Sequence, residues 1–397
     1  MKLIQEIIPS LCNVYLYPAL KILYIHQYFR TPKEGWSTRS YELARGLVEY
    51  GHEVCMITTH NKLSGPRMID GIEVHYLKIP YENHFGFLKR VFAFLKFVRL
   101  AKKEARKIGG IEKAYVMTTP LTTGLIALYL KKKLNVPYLF EVGDLWPEAP
   151  VQMGVIRNRW LKKNLYAFEK KCYDEAEKVI ALSRAIADHV RNISDTKTIL
   201  IPNLSDCEFF SPAENDNEIF QIGYFGTFGV ANDLGQVIEL ARYVHQLSLP
   251  VHFTHMGSGA ESQKLKQAAK DLDNVTVLPF GNKERVKEVM DRMDAIYISY
   301  KNIPVLNTGS PNKLFDGLAA GKLIIINFKG WIYDLIESNQ CGFAHDPVQP
   351  QSFVDQVMPF LKSKKLLASY QQNSRKLAET QFEKKILIET LVATLKE

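Results

Sequence analysis

From Lys21 onward, short runs of Ile, Val, Leu and Tyr alternate with longer stretches in which apolar residues return every three or four positions. Short uninterrupted apolar runs suit strands buried on both faces, and the longer period suits helices that cover a sheet. The alternation therefore predicts βα units in a parallel sheet. In the first half, strands are expected at 22–26, 54–59, 114–118, 138–141, 179–182 and 198–201. Between the first two, Ser37 or Thr38 offers a helix cap, Tyr41, Ala44, Leu47 and Val48 share one face, and Gly51 stops the helix.

After Pro202, residues 205–217 are polar and hold Pro212, Glu214 and Asp216, which makes this stretch the expected linker. The alternation then restarts, with strands expected at 221–225, 251–256, 275–278, 296–299 and 323–326 and helices at 234–246 and 283–293. The fold class expected is α/β, two Rossmann-like doubly wound domains facing across a cleft. Their bounds are 21–205 and 206–379, after an N-terminal extension at 1–20 and with a closing helix at 380–397 that packs back on the first domain. Ligands of open α/β sheets bind outside the strand C-terminal ends, so the cleft is the expected site.

A chain of 397 residues, 46% hydrophobic and 23% charged, fits two globular domains and excludes global disorder. No stretch reaches the roughly 18 to 20 apolar residues that span a bilayer. Cys12, Cys55, Cys172, Cys207 and Cys341 are scattered, with no metal-ligand spacing and no disulfide framework, which fits a cytoplasmic protein. The net charge of +9 admits nucleic acid, an anionic membrane or an anionic small substrate, so its placement must decide. In 87–107, Phe87, Val91, Phe94, Leu95 and Val98 fall on one helical face, with Lys89, Lys96 and Lys103 opposite. This pattern suits either a helix that covers the sheet or one that lies on an anionic leaflet.

Two places carry candidate chemistry. Gly223, Gly226 and Gly229 form a GxxGxxG that runs from a strand toward a helix, where glycines let backbone N–H groups approach a phosphate. The next strand ends His255-Met256-Gly257, without the acidic residue that would hold the ribose of a nicotinamide cofactor. The run Gly309-Ser310-Pro311-Asn312-Lys313-Leu314-Phe315-Asp316 reads as a helix start, with Ser310 as N-cap and Pro311 as first helical residue. Lys313 opposes the helix dipole there unless it serves an anion such as a diphosphate. Asp316 can accept ribose hydroxyls or simply be solvated. Asp271-Leu-Asp273 has the DxD form of metal-dependent transferases but falls at a helix end instead of after a strand.

The 310–322 run, Pro279-Phe280-Gly281, Gly257-Ser258-Gly259 and Glu141-Val142-Gly143-Asp144-Leu145-Trp146-Pro147-Glu148 together resemble retaining glycosyltransferases of family 4, with the GT-B fold. The resemblance is to the bacterial polysaccharide branch that includes N-acetylfucosamine transferases of O-antigen and capsule assembly. It implies an N-terminal acceptor domain and a C-terminal domain that binds the nucleotide-sugar. It further implies a UDP-sugar donor, no required metal or cofactor, and a lipid-linked saccharide acceptor at the inner face of the cytoplasmic membrane. No nucleic acid is expected as a partner.

By the same resemblance, Asp316 binds the donor ribose, Lys313 holds the diphosphate, Gly226 and Thr227 touch the phosphates, and Phe280 and Gly281 contact the base; Ser310 and Asn312 are further donor-binding candidates. The family's usual pair of glutamates eight positions apart is replaced here by Thr308 and Asp316. Asp144 is the candidate catalytic group toward acceptor or donor sugar, alongside Lys313, with Glu141 and Glu148 as rivals. His26, Tyr28, Trp146 and Glu148 are the acceptor-side candidates, and the loop 27–36 with Arg30 and Gly35 is a candidate flap. Alternative readings are a non-hydrolysing UDP-sugar epimerase of the same fold and an inactive membrane-associated subunit that binds sugar nucleotides.

Overall fold

The structure, a computed structural model, describes residues 18–35, 38–81 and 85–396, without the side chains of 87 and 88. Most of the 1–20 extension, the candidate cap Ser37, Trp36 and the Phe87 side chain lie outside the described residues. The chain divides into two compact units. The first comprises residues 18–31, 38–202 and 385–396, and the second residues 32–35 and 203–384.

In the first unit the elements run β1 (Lys21–Ile25), α1 (Arg39–Glu49), β2 (Glu53–His60), β3 (Gly65–Ile69), β4 (Ile72–Lys78), α2 (Phe87–Ala105), β5 (Lys113–Met117), α3 (Gly124–Leu134), β6 (Tyr138–Val142), α4 (Glu148–Gln152), α5 (Arg159–Asp174), β7 (Lys178–Ala181), α6 (Arg184–Ile193) and β8 (Thr198–Leu200). The sheet order is β3-β4-β2-β1-β5-β6-β7-β8, parallel except for the β3–β4 hairpin. Right-handed crossovers place α1 on one face and α2, α3 and α5 on the other, because the chain runs outward from β1 to β2 and returns from β4 to β5. The central strands are buried on both faces, as their largely apolar sequences require, and β6 buries Glu141 with them.

The second unit holds β9 (Phe220–Thr227), α7 (Leu234–Gln246), β10 (Val251–Ser258), α8 (Ser262–Ala269), β11 (Val275–Leu278), α9 (Lys283–Asp291), β12 (Ala295–Ile298), α10 (Asn312–Ala319), β13 (Leu323–Ile326), α11 (Trp331–Ser338), β14 (Gly342–Ala344), α12 (Pro350–Lys362) and α13 (Lys364–Leu377). Its all-parallel sheet has the order β11-β10-β9-β12-β13-β14. One core layer joins α7, α8 and α12 to the sheet, and another joins α9, α10 and α11. A final helix, α14 (Lys384–Lys396), belongs to the first unit, where Ile388 meets Gly46 of α1 and Tyr50 Oη donates to Glu389 at 2.9 Å.

Two Rossmann-like α/β domains are therefore present, as the alternating pattern predicts. Three strands, β3, β4 and β14, were not expected. The polar stretch 205–217 is also not a free spacer. Ser205 Oγ donates to Phe315 O at 2.9 Å, and Asn215 and Asn217 side chains donate to the carbonyls of Asp291 and Arg292 at 2.6 and 3.1 Å. The chain enters the second unit at Asn203, and the polarity of 205–217 reflects side chains that bind backbone carbonyls there.

The helix start at α10 also differs from expectation. Pro311, with ψ of 131°, is the N-cap and Asn312 the first helical residue, with no side chain capping the free amides. The Ser310 hydroxyl is shielded from solvent and makes no hydrogen bond. Extended backbone at Pro311 moves Ser310 one position too far back to reach the first-turn N–H groups.

Helix α2 corrects a further expectation. Ala93, Phe97, Val98, Ala101 and Ala105 face the core, whereas Leu95, assigned to the apolar face, is 48% exposed beside the lysines. The apolar surplus of the segment exceeds what one face needs, so periodicity alone assigned Leu95 to the wrong side.

Candidate functional site

Strand β9 runs into Gly226, whose φ of 130° and missing side chain leave room for Lys313. A Cβ at Gly226 would lie 3.5 Å from both Cε and Nζ of that lysine. Lys313 Nζ stands 3.6 Å above the Tyr224 ring centroid, a cation–π contact that no carboxylate supplements. Among the described residues no acidic side chain lies within ion-pair distance of it. Burial lowers its pKa to about 7, since the charged ammonium loses hydration with no anion to replace it.

The surroundings of this ammonium favour negative charge. Lys313 lies in the first turn of α10, where uncapped N–H groups and the helix dipole favour negative charge. Beside Tyr224, the buried His255 ring stacks at 6.0 Å with neither nitrogen hydrogen-bonded, and burial together with nearby Lys313 lowers its pKa to about 4. Gly257 lets β10 approach β9, because a Cβ there would fall 1.8 Å from Gly226 O. Tyr224 Oη and Asn232 Nδ2 both donate to Thr227 O at 2.8 Å and fix the Gly226-Thr227 turn.

The remaining donor-side candidates lie in the same unit. Asn312 opens α10 and Asp316 follows one turn later, partly buried. Asn203 Nδ2 donates to Ser310 O at 2.5 Å and ties down the segment before the helix. Phe280 is 37% exposed after β11, and Gly281 is crowded, since a Cβ there would lie 2.3 Å from the Met256 methyl. Gly35, placed by sequence in an acceptor-side flap, belongs to the second unit, where a Cβ would sit 2.8 Å from the Phe280 ring. Thr308 Oγ1 donates to Val305 O at 2.7 Å within a 3-10 turn.

In the first unit, Asp144 is exposed just beyond β6, with Thr119 Oγ1 at 3.4 Å. Thr119 has φ of 92°, a strained value for a β-branched residue and one that accompanies functional loops. Glu141, three residues earlier, is placed differently from Asp144. It is fully buried in a two-pronged pair with Arg39, Nε to Oε1 and Nη2 to Oε2 both at 3.0 Å, and Tyr115 Oη donates to the same carboxylate. Arg39 also donates to Pro202 O and Ile201 O at 2.5 and 2.9 Å. Glu148 opens α4 and accepts from Tyr166 Oη and Gln152 Nε2 at 2.5 and 2.7 Å.

His26 is buried against Ser40 Oγ at 2.7 Å, and burial near Arg30 and Arg39 lowers its pKa to about 3, which keeps it neutral. Tyr28 stacks at a tilt on Tyr81 at 5.2 Å, and Trp146 is partly buried beside Asp144. Gln27, Tyr224, His255 and Thr119 were not singled out by sequence. Gln27 is fully buried with both amide atoms unbonded. Gln27 falls at the start of the candidate flap, Tyr224 and His255 read as ordinary strand residues, and only a positive φ marks Thr119.

For metals, Asp271 and Asp273 are exposed just before β11, at the sheet edge opposite the strand C-terminal ends. Among the described residues, Glu53, Cys55 and Glu73 bring donor atoms within 4.8 Å. The Cys55 thiol donates to Glu73 at 3.4 Å, and burial and that carboxylate push its pKa to about 12, so it stays protonated instead of offering a thiolate.

Residues 34–203 match a glycosyl transferase 4-like domain and residues 208–377 match glycosyl transferases group 1. The chain is a glycosyltransferase of this family 4-like, group 1 type. It is 22% identical over 344 residues to the uncharacterized glycosyltransferase MJ1607 of Methanocaldococcus jannaschii, covering 80% of this chain and 83% of that one. Among solved structures it resembles sucrose-phosphate synthase from Thermosynechococcus elongatus, at a TM-score of 0.75 and 15% identity, covering 95% of this chain and 98% of that one. It also resembles Anabaena HepE in complex with UDP-glucose, at a TM-score of 0.66 and 15% identity, covering 95% and 99%. At such identity the likeness defines the fold, GT-B.

Proposed function

We propose that the chain transfers a sugar, N-acetylated in the reading favoured by resemblance, from a UDP-sugar to a lipid-linked saccharide in bacterial surface-polysaccharide synthesis. Transfer retains anomeric configuration and needs no metal. The observation that carries this is the Lys313 ammonium, half-buried without a carboxylate over Tyr224 and against Gly226 at the uncapped start of α10. A diphosphate supplies the missing anion, and the UDP-glucose named in the HepE complex is a donor of that class.

In this reading Lys313, the Ser310 hydroxyl and the first amides of α10 neutralise the departing diphosphate as its bond to the anomeric carbon breaks. Asp316 accepts from the ribose, and Phe280 and Gly281 border the base. Asp144 orients the acceptor hydroxyl, whose oxygen bonds to the anomeric carbon on the face the diphosphate leaves and whose proton passes to the leaving phosphate. The outward face of α2 with Lys89, Lys96 and Lys103 meets an anionic inner leaflet, where the acceptor resides.

The test is nucleotide release from a panel of UDP- and GDP-sugars with a lipid extract as acceptor, with and without EDTA. Release of UDP coupled to a longer lipid-linked saccharide, unchanged by EDTA, is expected. Isomerised donor without release would establish the epimerase reading, and binding without either would establish the inactive subunit. Asp144→Asn is expected to spare UDP binding and abolish transfer; a near-native rate would place the first-domain site elsewhere.

A further inference from the structure

Helix α2 presents Lys89, Phe92, Leu95, Lys96, Arg99 and Lys103 within an arc of about 120° at 100° per residue, opposite its core face. Phe92 is 71% exposed among these cations. A second place on the first unit has the same chemistry. The loop after α4 and the start of α5 expose Val155 at 55%, Trp160 at 75% and Leu161 at 44%, with Arg157, Arg159, Lys162 and Lys163 nearby in sequence and no acid between 153 and 163.

The two places project from the same end of one helix layer. Helix α2 meets α3 through its last turns, where Lys102 and Arg106 lie over Tyr129 at 5.4 and 5.2 Å. Helix α5 meets α3 late as well, where Gly124, the first residue of α3, abuts Phe168 and Cys172. At about 1.5 Å per residue, Phe92 lies roughly 15 Å ahead of the Tyr129 contact, and Trp160 roughly 12 to 18 Å ahead of the Gly124 contact. Both therefore overhang the start of the shorter α3, at the edge where the parallel strands end.

We propose that the start of α5, centred on Trp160 and Leu161, is a second membrane-docking element that acts with the outer face of α2. The occupant is an anionic bilayer surface. Two apolar tips ringed by cations suit the headgroup boundary, where Trp is favoured and each nearby Lys or Arg gains from anionic lipid. Two contacts on one rigid layer also fix the tilt of the domain, which a single helix leaves free to roll. The proposal builds on the α2 surface assigned above, but the vesicle binding that decides it needs neither donor nor acceptor.

The test is flotation of the full chain with vesicles of phosphatidylcholine alone or with about 30% phosphatidylglycerol, at low and high salt. Binding only to the anionic vesicles, weakened by salt, is expected. Trp160→Ala with Leu161→Ala should weaken partitioning roughly tenfold, Phe92→Ala with Leu95→Ala similarly, and the four together by about the product. UDP release with a water-soluble acceptor should be unchanged in all of these variants, which separates this surface from the transferase reading. Vesicle binding unaffected by the Trp160 and Leu161 changes would overturn the proposal. So would a wild-type chain that ignores anionic vesicles, or one that instead self-associates through these residues in sedimentation.

Discussion

Arg39, buried in the first unit, and Lys313, half-buried in the second, are cations that their surroundings treat oppositely. Arg39 is matched by two carbonyls and by the buried Glu141 carboxylate, which also accepts from Tyr115, so its charge stays, and its pKa rises. Lys313 has an aromatic face and a glycine but no anion, and its pKa falls to about 7. A cation fully matched within the protein serves the fold, whereas the unmatched one at a helix start is the one we propose serves a ligand.

The largest expected effect breaks the matched pair. Glu141→Gln should lower stability by about 3–5 kcal/mol, because it leaves the Arg39 charge buried alone. In a domain of this size that is a fall of about 10 °C in Tm, read by calorimetry. Glu141→Leu with Arg39→Met should recover most of it. If the single variant melts like wild type, the pair is not structural.

Next, Lys313→Ala should weaken UDP and UDP-sugar binding at least tenfold, about 1.5–3 kcal/mol, without loss of Tm, the reverse of Glu141→Gln. Unchanged titration calorimetry would remove the diphosphate assignment. The Lys313→Met variant should even gain thermal stability. The sign follows from linkage, since a folded pKa depressed to about 7 below the unfolded value makes the charged form a liability below pH 7. That liability fades as the pH rises, so the gain should be largest below pH 7 and shrink above it.

The same shift gives a pH dependence of donor binding. The free chain loses the Lys313 proton near pH 7 and the diphosphate restores it, so affinity should fall by up to about tenfold per pH unit above 7. The Lys313→Ala variant should show no such slope. The smallest effect is that of Ser310→Ala, which removes an unbonded hydroxyl and should cost about threefold in UDP affinity with no change in Tm.

The sheet cores were legible because central parallel strands are largely apolar, as β1, β12 and β13 are. Strand β4 escaped notice because its alternation holds Glu73, His75 and Lys78, and β14 because three residues give no period. At the site, Lys313 could be found from a lysine placed against its helix dipole. Tyr224 could not, because a tyrosine in a strand looks the same whether its face packs on leucine or carries an ammonium. Glu141 and Asp144, three residues apart, were indistinguishable until pairing with Arg39 separated them, since that contact spans 102 positions. The start of α10 was misplaced by one residue because Pro311 serves equally as N-cap or first helical residue.

The most direct test is a crystal structure of the chain with UDP. Diphosphate oxygens within about 3 Å of Lys313 Nζ and of the first amides of α10 are expected, with Tyr224 still beneath the ammonium. UDP bound with its phosphates elsewhere, and Lys313 still without an anion, would contradict the account.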